Sequence, residues 1–222
     1  MKAPALLLAL GALATVNVAA CSRQQPHTAA LSRMGPEAAK ERARADSLRY
    51  PYTKADIDFM SGMIHHHAQA ILISKWAPSH GASPSVIRLT ERIINAQRDE
   101  IGMMQTWLRD RNQEIPAADT LGTAMQHEGM SHGAMQHGEH MMPGMLTAEQ
   151  LKQLDAARGP EFDRLFLEFM IQHHRGAVSM VKDLFAARGA GQDETVFKFA
   201  ADVEVDQSTE IRRMLQMLLE LP

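Results

Sequence analysis

Histidine and methionine carry the candidate chemistry of this chain. Its 222 residues include 11 histidines, 16 methionines and a single cysteine. Residues 125–145 alone hold six of the methionines and four of the histidines. Met125-x-His127, Met130-x-His132 and Met135-x-His137 repeat every five residues, and His140, Met141, Met142 and Met145 follow. In an extended chain residues i and i+2 point the same way, so each Met-x-His can offer a sulfur and a nitrogen together. Thioethers are neutral and soft and suit Cu(I) or Ag(I), while imidazole adds affinity for Cu(II). A plain linker would use Gly, Ser or charge instead. Outside the cytoplasm thiols oxidise to disulfides, which favours methionine over cysteine as a copper ligand there.

A second set of histidines lies in an internal repeat. Phe59…Met63-Ile64-x-His66-His67-x-x-Ala70 recurs 107 residues later as Phe166…Met170-Ile171-x-His173-His174-x-x-Ala177. Gln97-x-x-Glu100-Ile101-x-x-Met104 recurs 110 residues later as Gln207-x-x-Glu210-Ile211-x-x-Met214. At about 100° per residue, Met63, His66, His67 and Ala70 share one helix face, whereas His65 falls about 200° from Met63, on the solvent side. A thioether at i with imidazoles at i+3 and i+4 can converge on one ion. Hydrogen bonding among His66, His67, Gln97 and Glu100 is the structural alternative, because buried polar groups need partners. A histidine of ordinary pKa, about 6.5, would lose its metal between pH 7 and pH 5, and a thioether would not.

These residues must be positioned by helices. A capping box at Thr53 and Asp56 opens the first long one, which stops near Pro78. Ser83-Pro84 starts the second, which runs to about Arg109. Thr147 and Gln150 form another capping box for a short helix to Arg158, and Gly159-Pro160 breaks it. Helices from about Glu161 to Arg188 and from about Asp193 to Leu219 complete the second copy. The pattern predicts an all-α fold, an antiparallel four-helix bundle of two duplicated helical hairpins. Hairpin 1 spans 51–110, the Met/His-rich linker 111–146 and hairpin 2 147–222. Residues 21–50 read as a polar tether with one helical stretch over 36–49.

Residues 1–20 read as a targeting segment. Lys2 precedes an apolar run that ends Val18-Ala19-Ala20-Cys21, followed by polar residues. This run looks like a bacterial lipobox and implies cleavage before Cys21 with lipid on its sulfur. Ser22 beside it tilts the expectation toward the outer membrane, with the body facing the periplasm. One cysteine excludes a disulfide scaffold and any multi-cysteine zinc or iron–sulfur site. A net charge of -3 gives no reason to expect nucleic acid as partner.

The paired motifs resemble the Domain of Unknown Function 305 family, whose members include copper-binding envelope proteins of the CopM type. The resemblance covers roughly residues 50–220 and implies a ferritin-like bundle with copper held by methionine and histidine. Carried over, Met63, His66, His67 and Met104 match in the first copy, and Met170, His173, His174 and Met214 in the second. The expectation is a lipid-anchored protein that sequesters or hands on Cu(I), with Cu(II) or Ag(I) as further ions and a copper donor or acceptor protein as partner. No catalysis is expected, since ferritin-like di-iron enzymes need Glu-x-x-His motifs and none occurs. The competing reading is an envelope interaction module whose buried His, Glu and Gln pairs are structural.

Overall fold

Side-chain caps set where the helices begin. A computed structural model describes residues 35–49, 51–117 and 142–221, and all regular structure among them is helical. Cys21 and the candidate linker ligands Met125, His127, Met130, His132, Met135, His137, His140 and Met141 lie outside the described residues. Helix α1 covers Pro36–Arg49, α2 Lys54–Ser74, α3 Pro84–Asp110, α4 Ala148–Ala156, α5 Pro160–Ala186 and α6 Glu194–Leu219. Thr53 and Thr147 each complete a capping box, with Asp56 and Gln150 respectively. Ser83 accepts from the Val86 amide ahead of α3, and Asp193 from those of Thr195 and Val196 ahead of α6. Gly159 takes φ +57 just before Pro160, a left-handed turn that suits glycine.

Helix α2 packs on α3, α5 packs on α6, and the two hairpins meet through α2 and α5. The stretch 36–49, expected within a polar tether, instead lies against α3 and buries Ala38 and Ala43. No described helix is long and apolar enough to cross a membrane.

Two apolar clusters fill the interior. One joins Phe59, Met60, Met63 and Met104 to Ala177, Val181, Val196 and Phe199. The other joins Ala70, Ile73, Val86 and Leu89 to Phe162, Phe166, Met170 and Met214. Each fully buried aliphatic or aromatic side chain contributes about 1.5–3 kcal/mol. Along α3 the apolar run is interrupted at the buried Gln97, and along α6 at the buried Gln207. The histidine pairs of α2 and α5 fall at the matching level, so a polar layer lies between the two clusters.

The hairpins clamp each other by a reciprocal device. Asp56, near the start of α2, accepts a hydrogen bond from the Gly191 amide in the α5–α6 turn at 2.7 Å. Asp163, its counterpart 107 residues on, accepts from the Ser83 amide in the α2–α3 turn through both oxygens at 3.1 Å. Each first helix therefore secures the other hairpin's turn with a buried carboxylate, a charge-assisted bond of the stronger kind.

Candidate functional site

All eight residues of the duplicated motifs are buried. Met63, His66, His67, Met104, Met170, His173, His174 and Met214 each have 0% exposure. His66 of α2 and His173 of α5 face each other with ring centroids 3.8 Å apart and planes at 39°. His67 and His174 flank this pair, each 6.4 Å from its neighbour's centroid. His65, expected on the solvent side, is half-buried, because hairpin packing covers more than one stripe of α2.

The outer histidines are tied to carboxylates. His67 Nε2–H donates to Glu100 and His174 Nε2–H to Glu210, both at 2.7 Å. His66 Nε2–H donates to the Pro143 carbonyl at 3.0 Å. In all three rings Nδ1 is buried without a hydrogen-bond partner. Neither nitrogen of His173 has one. Burial, reinforced by the neighbouring His67, pushes the His66 pKa down to about 3. Burial and then His66, His174 and His67 hold His173 well below 6.5. Burial alone would raise the Glu210 carboxyl, but the bonds and charges of His174 and Arg92 outweigh it and lower its pKa. Both central imidazoles are thus neutral at pH 7, with no proton for a metal to displace.

Thioethers border this layer on both sides. Met63 and Met104 belong to one apolar cluster, Met170 and Met214 to the other. Among the described residues, no group of three or more His, Cys, Asp or Glu side chains could hold an ion. Nitrogen, oxygen and thiolate donors alone therefore make no such group among the described residues. On the open side a groove of about 300 Å³ between α3 and α6 is lined by Gln97, Glu100, Asp206, Gln207 and Glu210.

The last residues of the linker close the layer. Residues 142–146 cross α2 and α5 as a strap. The Gln69 amide donates to the Leu146 carbonyl at 3.1 Å and accepts from its amide at 2.7 Å, as a neighbouring strand would. Gln172 reaches the carbonyls of Gly144 and Met145. A β-carbon at Gly176 would collide with the Pro143 carbonyl, so glycine alone admits this crossing. Met142 is half-buried and Met145 is buried.

Sequence reasoning missed the strap, although the repeat carried a signal for it. Gln69 of the first copy corresponds to Gly176 of the second, and Gly62 to Phe169. The copies differ where the strap lies.

The fold and layer define an all-helical protein of two alike hairpins with histidines at their junction. The model of the family described as domain of unknown function (DUF305) matches residues 56–218. The chain belongs to this family. A crystal structure of a DUF305 protein from Streptomyces coelicolor is 28% identical with a TM-score of 0.60, covering 75% of this chain and 93% of that one. A DUF305 fragment from Deinococcus radiodurans is 26% identical with a TM-score of 0.60, over 77% of this chain and 99% of that one. CopM in its Cu(I)-bound form is 27% identical with a TM-score of 0.53, over 74% of this chain and 96% of that one. CopM also matches in Cu(II)-bound, Ag-bound and apo forms. An uncharacterized protein of Acanthamoeba polyphaga mimivirus is 39% identical over 62 residues, which are 27% of this chain and 41% of that protein.

Proposed function

We propose that this is a metal-binding protein of the bacterial envelope that sequesters or hands on Cu(I), with Ag(I) and Cu(II) as further ions, and that it catalyses no reaction. The observation that carries the proposal is the state of the buried imidazoles. Metal-ligating histidines donate their second ring N–H to a carboxylate or carbonyl, which fixes the tautomer and orients the free lone pair. His66, His67 and His174 have that arrangement, and their free Nδ1 atoms are buried without partners. An orphaned buried acceptor costs about 1–3 kcal/mol, a cost that ligation would remove. Met63, Met104, Met170 and Met214 supply the soft donors that Cu(I) prefers. The likeness to CopM in its copper- and silver-bound forms supports the same choice.

On this reading Met125, His127, Met130, His132, Met135, His137, His140 and Met141, with Met142 and Met145 of the strap, form a second set of ligands. Val18-Ala19-Ala20-Cys21 supports a lipid anchor on Cys21, most naturally in the outer membrane and facing the periplasm. A donor or acceptor protein would exchange the ion.

One observation favours the structural reading. The His67–Glu100 and His174–Glu210 bonds satisfy part of the layer without any metal. Equilibrium dialysis of residues 22–222 against Cu(I), Cu(II) and Zn(II) separates the two. The expected result is retention of Cu(I), cut by His66→Ala with His173→Ala and cut again by replacing the linker methionines with leucine. No retention of any of the three ions would leave the layer a purely structural feature.

A further inference from the structure

We infer that Met142 of the strap and Met180 of α5 form a two-thioether site for a soft monovalent ion, Cu(I) or Ag(I), above Gly62. This inference rests on the metal-binding reading proposed above and adds a ligand, Met180, that neither repeated motif contains.

Both side chains pass over Gly62. A β-carbon there would lie 3.3 Å from Met142 Sδ and 3.5 Å from Met180 Cε. The room exists because α2 has glycine at a position where α5 has Phe169. Both methionines are half-buried, unlike the four sealed beside the histidine layer, so an ion can reach them from solvent. Methionine has three freely rotating side-chain bonds, so small torsional changes turn both sulfurs toward one point. Their lone pairs carry no proton to displace and are soft, which suits a monovalent soft ion.

The backbone around the pair is fixed rather than free. Pro143, next to Met142, binds His66, and Leu146 is held through both its amide and carbonyl by Gln69. Met180 lies one turn beyond Gly176, the glycine over which the strap crosses. The strap therefore holds Met142 within one residue of the carbonyl that closes the buried layer. An ion on Met142 and Met180 would stand, along the chain, between the linker's Met-x-His repeats and the strap carbonyl that binds His66.

The test is Ag(I) titration of the full chain carrying 13C-labelled methionine ε-methyl groups, read by NMR. Met142→Leu and Met180→Leu assign the two signals. The expected result is that both shift at the same Ag(I) equivalent, and that Met180→Leu weakens the Met142 response by at least about tenfold. Gly62→Phe should abolish both responses, with an unchanged circular dichroism spectrum reporting an intact fold. A Met142 shift of unaltered affinity in Met180→Leu would overturn the pairing. So would silence of both signals while other methionines respond. Silence of every methionine would instead overturn the metal-binding reading itself.

Discussion

Burial has already done to His66 and His173 what a metal would otherwise have to do. Their imidazoles are held neutral, His66 to about pH 3 and His173 well below 6.5. Ordinary histidines were expected to release metal between pH 7 and pH 5, yet these two stay in the ligating form across that range. The same depression has a sign for stability. Below about pH 6.5 the unfolded chain takes up protons on these residues that the folded chain refuses. Stability from them is complete above that pH and is lost as pH falls below it, down to about pH 3 for His66. Linkage gives roughly 2 kcal/mol for His66 between pH 8 and pH 5. Thermal denaturation of the metal-free protein should show a lower midpoint at pH 5, and His66→Gln with His173→Gln should remove much of the difference. A pH-independent midpoint would mean that the two rings are not sealed from water.

At the scale of elements, the strap is held by close approach rather than by apolar area. Gly144, at φ +77, and Gly176 let two backbones touch, which no side chain at either position would allow. Gly176→Ala should lift residues 142–146 from α5, break the Gln69–Leu146 pair and expose His66. Overpacking of this kind costs about 1–3 kcal/mol, readable as a lower midpoint in urea. Hydrogen exchange should show the Leu146 amide losing protection ahead of the helices. Retained protection would place the anchor elsewhere. The helices themselves were legible in the sequence, because caps and apolar period are local properties. The boundaries at Thr53, Ser83 and Thr147 follow from residues within one turn. The strap was not legible, because Gln69 and Leu146 are brought together only by the packing of α2 against the linker's end. Residues 142–146 read simply as the last ligands of an exposed string.

The whole molecule repeats this lesson at longer range. Duplication and helix phase placed His66, His67, His173 and His174 on inward faces, and the all-helical fold followed from the same pattern. Asp56 looked like nothing more than a capping-box residue. Its second oxygen reaches Gly191, 135 residues away, and Asp163 performs the mirror task at Ser83. The contact of His66 with His173 was equally hidden, since each ring sits in a different copy. Local pattern tells which way a side chain faces and is silent about what it meets.

The reciprocal carboxylates bear on ancestry. One hairpin alone would leave its aspartate without the amide it binds, its turn unsecured and its inner imidazole facing water. Such a unit completes itself by pairing with its own twin about a dyad, where the two inner rings meet. This chain has the layout of that twin pair joined end to end by a linker. The halves are not identical, and Gly62 against Phe169 and Gln69 against Gly176 are two of the positions where they differ. Residues 147–222, expressed alone, should therefore sediment as a dimer, and Asp163→Ala should shift it toward monomer. A folded monomer would show that a half can stand by itself, and that its twin was acquired for some other end.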